Sequence, residues 1–281
     1  MKPLFVLCFA TLLFSSSVTG QVNTEKQARP AKRKAPQYDA TVPKPTLVGV
    51  KYGKHKRHVL DFWKAESNKP TPLVFVIHGG GWVGGSKEFV HRFVDVTSLL
   101  KAGISVAAIN YRFTTQAKGK ENNPPVQVPL NDAAKALQFV RSNSQKWNLK
   151  KERIGAAGGS AGACSSLWLA FHDELADPNS EDPVARESSR LWCVAVNRAQ
   201  TTLDPEQMKA WTPNSKYGAH AFGLGSFKEL LDQRDQILPM IKEYSPYYLV
   251  TEDDPPVYLF YPNPPAIGKN RKTLRTHPTS A

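Results

Sequence analysis

The stretch Arg153-Ile154-Gly155-Ala156-Ala157-Gly158-Gly159-Ser160-Ala161-Gly162 decides how this chain is read. A short apolar strand, Arg153 to Ala157, runs through Gly-x-Ser-x-Gly into a helical stretch, the signature of a nucleophile elbow. Such an elbow holds its serine in a strained backbone conformation that pushes the hydroxyl beyond the sheet edge. Gly158 and Gly162 let neighbouring backbone approach with no Cβ in the way. Ser160 is therefore the candidate nucleophile. Because the five-residue pattern alone arises by chance in about one chain in ten of this length, the flanking sequence has to carry the reading.

Upstream, Leu73-Val74-Phe75-Val76-Ile77 is a continuous apolar run, the mark of a strand buried on both faces, and it leads directly into His78-Gly79-Gly80-Gly81-Trp82. A tetrahedral intermediate of acyl transfer carries an oxyanion that needs backbone N–H donors aimed at it, and glycines allow that approach. Gly80, Gly81 and Ala161 are the candidate oxyanion-hole donors, a device whose removal costs about 3 to 4 kcal/mol of barrier. His78 belongs to the glycine motif and reads as a loop-holding residue rather than a base. Trp82 is a candidate substrate-binding residue, with Trp211, Tyr217 and Phe222 beside it as possible lining, although scattered aromatics also serve as core.

Outward from these motifs, Leu47–Tyr52 and His58–Lys64 alternate as two strands around a polar turn, and Ile104–Asn110 and Cys193–Ala199 read as further strands. Helical spacing marks Ser86–Lys101 and a segment carrying Ala133, Ala134, Leu137 and Val140. Strand and helix alternate, so the fold class is α/β: a mostly parallel sheet with helices on both faces. Residues of about 202–246 break the alternation and read as a small cap insertion over the C-terminal edge of the sheet, with a helix near Phe227–Tyr244. Val257–Tyr261 reads as another buried strand.

On the glycine loop and the elbow together, the chain resembles the α/β-hydrolase superfamily, in particular exported bacterial esterases and lipases of the carboxylesterase and feruloyl-esterase-like type. The resemblance covers about Lys44 to Gly268. It implies hydrolysis of carboxylic esters through an acyl-enzyme on Ser160, with Gly80, Gly81 and Ala161 as the oxyanion hole. It also implies an acid and then a histidine after the elbow. For the acid, Asp204 is the best candidate present, with a helix cap before Pro205 as the equal alternative. For the base, His277 is the candidate. His172 would lie about 18 Å along the elbow helix from Ser160, too far to deprotonate it, and His220 is a remote possibility in the cap. The ending departs from the family pattern: Lys272–His277 permits codons that, read one frame over, spell Asp-Pro-Thr-His, so a frameshift is expected. The last strand and helix would then be missing and the tail of about 269–281 aberrant.

Composition sets the setting. The 281 residues suit one large domain. Met1–Gly20 has Lys2, an apolar run from Leu4 to Phe14 and then small residues, which reads as a signal peptide; the expected address is periplasmic or extracellular. Much of the net charge of +13 lies in a proline-interrupted stretch, and residues 21–44 read as a disordered basic linker ahead of the domain at 45–281. That linker lacks interleaved aromatics, so nucleic acid is not an expected partner, and no stretch predicts stable membrane insertion. Cys164 and Cys193 read as free thiols rather than a bridge. No metal-ligand spacing or cofactor fingerprint appears, so no metal and no cofactor are expected. The expected partner is a small-molecule or polysaccharide-linked ester. A non-catalytic remnant of the fold and a serine peptidase are the alternatives, and oligomeric state is not legible.

Overall fold

The apolar runs become one sheet. In this computed structural model, which describes residues 35–117, 123–214 and 216–262, the strands are β1 (Leu47–Lys51), β2 (Val59–Trp63), β3 (Thr71–Ile77), β4 (Ser105–Ile109), β5 (Leu149–Gly159), β6 (Cys193–Asn197) and β7 (Val257–Phe260). They lie in the order β1-β2-β4-β3-β5-β6-β7. β1 and β2 pair antiparallel with each other, as do β2 and β4, and every pair from β4 to β7 is parallel. Phe75, Ile77, Ile109 and Ile154 are fully buried, as strands covered on both faces require.

The helices are α1 (Val96–Lys101), α2 (Gln127–Ser142), α3 (Ser144–Trp147), α4 (Ala161–Phe171), α5 (Pro205–Trp211), α6 (Phe227–Asp232), α7 (Arg234–Tyr244) and α8 (Pro246–Leu249). Two expected helices divide. Ser86–Lys101 becomes a 3₁₀ segment, Lys87–Arg92, followed by α1: Phe89 leaves helical dihedrals (φ −85°, ψ 15°), and the Asp95 carboxylate accepts from the Ser98 N–H at 3.1 Å to start a new helix. Phe227–Tyr244 divides at Gln233 (φ −98°, ψ 2°) into α6 and α7. The cap expected between β6 and β7 is built from α5 to α7 around its own apolar cluster of Met208, Ala219, Leu230 and Ile241. Cys164 is buried, Cys193 half-buried, and both are free thiols.

Two expectations need correction. The described residues 36–44, expected to belong to a disordered linker, pack on the domain. The end of the expected linker packs on β2 because the Tyr38 hydroxyl donates to Asp61, the Trp63 indole N–H donates to the Pro43 carbonyl at 2.7 Å, and the Tyr38 and Trp63 rings meet edge to face at 5.5 Å. The strand expected to be buried at Val257–Tyr261 is instead the edge of the described sheet, pairs only with β6 and leaves Tyr258, Leu259, Phe260 and Tyr261 exposed. The expected signal peptide at 1–20, residues 21–34 of the linker, the expected aberrant tail and His277 lie outside the described residues.

Asp61 anchors the N-terminal segment to the sheet. Its carboxylate is fully buried, 2.8 Å from Lys87 Nζ, and accepts from the Gly49 N–H at 2.6 Å and from Tyr38. Removing the lysine strands a buried charge, so Lys87→Met is expected to cost about 3 to 5 kcal/mol in urea denaturation, and Asp61→Leu added to it to recover part of that loss. A cost below about 1 kcal/mol would mean the pair carries no such load.

Candidate active site

Ser160 occupies the turn between β5 and α4 with φ 53° and ψ −124°, a region that a non-glycine residue enters only under constraint, at about 1 to 3 kcal/mol. Contacts on both sides impose it. A Cβ on Gly162 would stand 2.1 Å from the Ile77 carbonyl oxygen, and one on Gly158 would stand 2.7 Å from both that oxygen and the Gly162 backbone. The two glycines of the motif thus face each other where α4 meets the end of β3. On the third side, the Ser160 N–H donates to the Asn197 carbonyl at 3.2 Å, which pins the turn to β6.

The glycine loop after β3 is held from behind. His78 is buried and stacked on Tyr111 at 4.2 Å. Its Nδ1 lies 2.8 Å from the Gly79 carbonyl, while its Nε2 lies 3.3 Å from Arg57 Nη2. A guanidinium can only donate, so Nε2 accepts and Nδ1–H donates to Gly79: the imidazole is neutral. Burial lowers its pKa to about 4, the Arg57 charge adding to the effect against the opposing Gly79 bond. Arg57 itself donates to the Tyr111 and Gly85 carbonyls at 2.6 and 3.1 Å and lies 3.8 Å over the Phe113 ring. His78 is thus a loop-holding residue, as its sequence position predicts.

These anchors aim the peptide groups. The Gly79 carbonyl turns back to His78, and the Gly80 carbonyl accepts from Val83 and Gly84 N–H at 3.1 and 3.0 Å. In trans peptides the N–H points opposite its carbonyl, so the Gly80 and Gly81 N–H groups point away from these anchors. Neither they nor the Ala161 N–H has a hydrogen-bond acceptor among the described residues. Gly80 and Ser160 both line a cavity of about 410 Å³, together with Phe89, Arg92, Asn197 and Arg198. From the cap, His220 Nε2 meets the Gly81 carbonyl at 2.7 Å; a carbonyl only accepts, so this nitrogen carries the proton and is not a base for Ser160. His172 bonds Glu243 at 3.1 Å, at the far end of α4.

Two candidates serve elsewhere. Asp204 caps α5 by accepting from the Glu206 N–H at 2.9 Å, and receives Arg234 Nε and Nη2 at 2.9 and 2.8 Å and the Tyr248 hydroxyl at 2.8 Å. Burial opposes its charge, yet the bonds from Arg234, Tyr248 and Glu206 hold its pKa below the usual carboxylate value. Both Asp204 oxygens are thus occupied and no imidazole meets them among the described residues, so that here Asp204 caps α5 and anchors the cap. Trp82 is only 3% exposed, so it does not offer a ring to substrate; its indole N–H donates to Ser165 Oγ at 3.0 Å and ties the glycine loop to α4. Sequence reasoning missed Gln200, whose amide donates to Ser160 Oγ at 3.4 Å, and the two cavity arginines. Arg198 directly follows β6, at the sheet edge where ligands gather, and that position was its signal.

The family model BD-FAE matches residues 60–264. The chain belongs to the BD-FAE family. Gut esterase 1 of Caenorhabditis elegans is 29% identical to this BD-FAE chain over 147 residues, 51% of the chain and 26% of that protein. The chain thus spans about a quarter of the length of that curated relative. Among solved structures, an acetyl ester-xyloside bifunctional hydrolase from Caldicellulosiruptor lactoaceticus aligns at 25% identity and TM-score 0.53, covering 72% of this chain and 65% of that one. A truncated carbohydrate esterase from gut microbiota aligns at 21% identity and TM-score 0.61, covering 81% and 79%. The fold of this BD-FAE chain is the α/β-hydrolase fold.

Two outcomes test the site's construction. Gly162→Ala should cost at least about 2 kcal/mol in chemical denaturation, because its Cβ meets backbone that cannot yield; an unchanged midpoint would dismiss the close approach as a constraint. For His78 the folded pKa lies below the ordinary 6.5, so the unfolded chain binds the proton first and stability falls as pH drops from about 6.5 through about 4. The loss from this group reaches at most about 3 kcal/mol. His78→Gln should flatten the pH dependence of the urea midpoint over that interval, and a profile parallel to wild type would assign the dependence to other groups.

Proposed function

We propose that the chain is a serine hydrolase that cleaves carboxylic esters, of small molecules or linked to polysaccharides, through an acyl-enzyme on Ser160. The observation that carries this reading is Ser160 in a positive-φ turn on a cavity that Gly80 also lines, with the Gly80, Gly81 and Ala161 N–H groups lacking acceptors among the described residues. The Ser160 oxygen would add to the ester carbonyl as its proton passes to a base, and the carbonyl electron pair would collect on the oxyanion facing those N–H groups. Collapse of the tetrahedral intermediate breaks the acyl–oxygen bond, and the alcohol leaves with the proton. Water, deprotonated by the same base, then adds to the acyl-enzyme and releases the acid and Ser160. His277 is the only histidine after β7 in the sequence and is the base this reading assigns. Export through Met1–Gly20, to the periplasm or beyond, completes the proposal, and N-terminal sequencing of the secreted protein tests it. The esterase names of the relatives support the reading.

One observation favours a second reading, a non-catalytic ligand-binding member of the fold: among the described residues Ser160 Oγ meets an amide, Gln200, and no imidazole. Hydrolysis of nitrophenyl acetate separates the two. Under the hydrolase reading Ser160→Ala lowers the rate by about a thousand-fold or more, His277→Ala lowers it comparably, and a fluorophosphonate probe labels Ser160. Wild type and Ser160→Ala both at the background rate, with no labelling, would leave the second reading standing.

A further inference from the structure

The cavity beside Ser160 is cationic on its rim. Arg92 and Arg198 both line it, and neither Asp nor Glu does. Other cations at this end of the sheet are committed to protein groups, Lys87 to Asp61 and Glu88, Arg112 to Asp132, Arg234 to Asp204, and Arg57 to the Tyr111 and Gly85 carbonyls, whereas Arg92 and Arg198 are exposed. Arg92 and Arg198 have no acidic partner among the described residues. The two acids nearest Arg92 in sequence are committed elsewhere, Asp95 to the Ser98 N–H and hydroxyl and Glu88 to Lys87 and the Ser86 hydroxyl.

The two arginines are also placed rather than merely present. Arg92 lies with its guanidinium carbon 4.3 Å from the centroid of the Phe89 ring, which also lines the cavity. Arg198 follows β6 with a positive φ of 48° and is joined to the sheet edge by its N–H, which donates to the Phe260 carbonyl at 2.9 Å. The Asn197 carbonyl of the same peptide unit receives the Ser160 N–H, so the peptide that joins Asn197 to Arg198 is the one that holds the nucleophile turn. A guanidinium presents a planar fork of donors that matches a carboxylate. On a chain of net charge +13, an anionic ester is also drawn to the protein at long range.

We propose that Arg92 and Arg198 form an anion-recognising subsite of the Ser160 cavity and that the preferred substrates are esters bearing a free carboxylate. The inference rests on the hydrolase reading for its kinetic arm and stands independently of it for its binding arm. The carboxylate belongs to the acyl part in half-esters of dicarboxylic acids and to the alcohol part in acylated hydroxy acids or uronates; paired probes distinguish the two sources.

For binding, the full chain carrying Ser160→Ala is titrated calorimetrically with monoethyl adipate and with diethyl adipate. The half-ester is expected to bind about ten-fold more tightly at low salt, and the advantage is expected to shrink as salt is raised. Arg92→Gln and Arg198→Gln each reduce the ratio severalfold, Arg198→Lys restores part of it, and Lys101→Gln on α1 leaves it unchanged. For turnover, nitrophenyl hemiadipate is compared with nitrophenyl hexanoate, and para-acetoxybenzoate with its methyl ester. The expected result is a kcat/KM advantage of the anionic member in one pair, which names the side of the ester that carries the charge, expressed mainly in KM. Equal binding of half-ester and diester, or a ratio that both arginine substitutions leave intact, overturns the subsite. A preserved binding preference with no Ser160-dependent hydrolysis of any of the esters would instead overturn the hydrolase reading and leave the subsite in place.

Discussion

Everything around the nucleophile turn depends on how closely the backbone of α4 meets the end of β3. With Gly162 against the Ile77 carbonyl and Gly158 against Gly162, there is room for hydrogen atoms and nothing larger. That contact brings the first turn of the helix, and with it the Ala161 N–H, beside the loop that leaves β3. It also obliges the chain to turn within one residue, which is why Ser160 takes a positive φ. A strained serine in an otherwise regular sheet is stable only because strands on both sides of β5 hold their register: β3 pairs with it through Gly158, and β6 through Gly159.

The glycine loop illustrates how remote parts of the chain cooperate to orient a few peptide groups. Arg57 reaches in from the β1–β2 hairpin, Tyr111 from the end of β4, Ser165 from α4 through Trp82, and His220 from the cap. Each satisfies a carbonyl or a ring nitrogen on the far side of the loop. The N–H groups of Gly80 and Gly81 are left without acceptors among the described residues as a consequence, and preorganised donors of that kind need no reorganisation when charge develops. The neutral state of His78 matters here, since a second proton on its ring would face Arg57 and remove the acceptor that Arg57 uses.

Charge is distributed with the same economy. Deeply buried carboxylates such as Asp61, Asp132 and Asp204 each hold a cation and serve to join segments far apart in sequence. The two arginines exposed on the cavity, Arg92 and Arg198, have no acidic partner among the described residues. The cap is part of this accounting: Asp204 and Arg234 join its helices to one another, while Trp168 of α4 donates to the Glu243 carbonyl and fastens α7 to the elbow helix.

The sequence by itself determined the strands, the parallel order and the two glycine motifs, because those features are local. An apolar run long enough to be buried on both faces, or a glycine where backbone must meet backbone, is written in consecutive residues. The sharp turn at Ser160 and the glycine loop after β3 were legible for that reason, and the segment between β6 and β7 was legible as a break in alternation. The roles of Asp204 and Trp82 were not legible. Each is set by partners from distant segments: Arg234 and Tyr248 draw Asp204 into the cap, and Ser165 draws Trp82 into the core. The linker boundary, the division of the two long helices and the exposure of β7 likewise followed from what packs alongside. Only the tertiary structure decided which polar groups are spent on holding the fold and which, like Arg92 and Arg198, remain free to meet a ligand, because hydrogen-bond and ion-pair satisfaction is settled between elements and not along the chain.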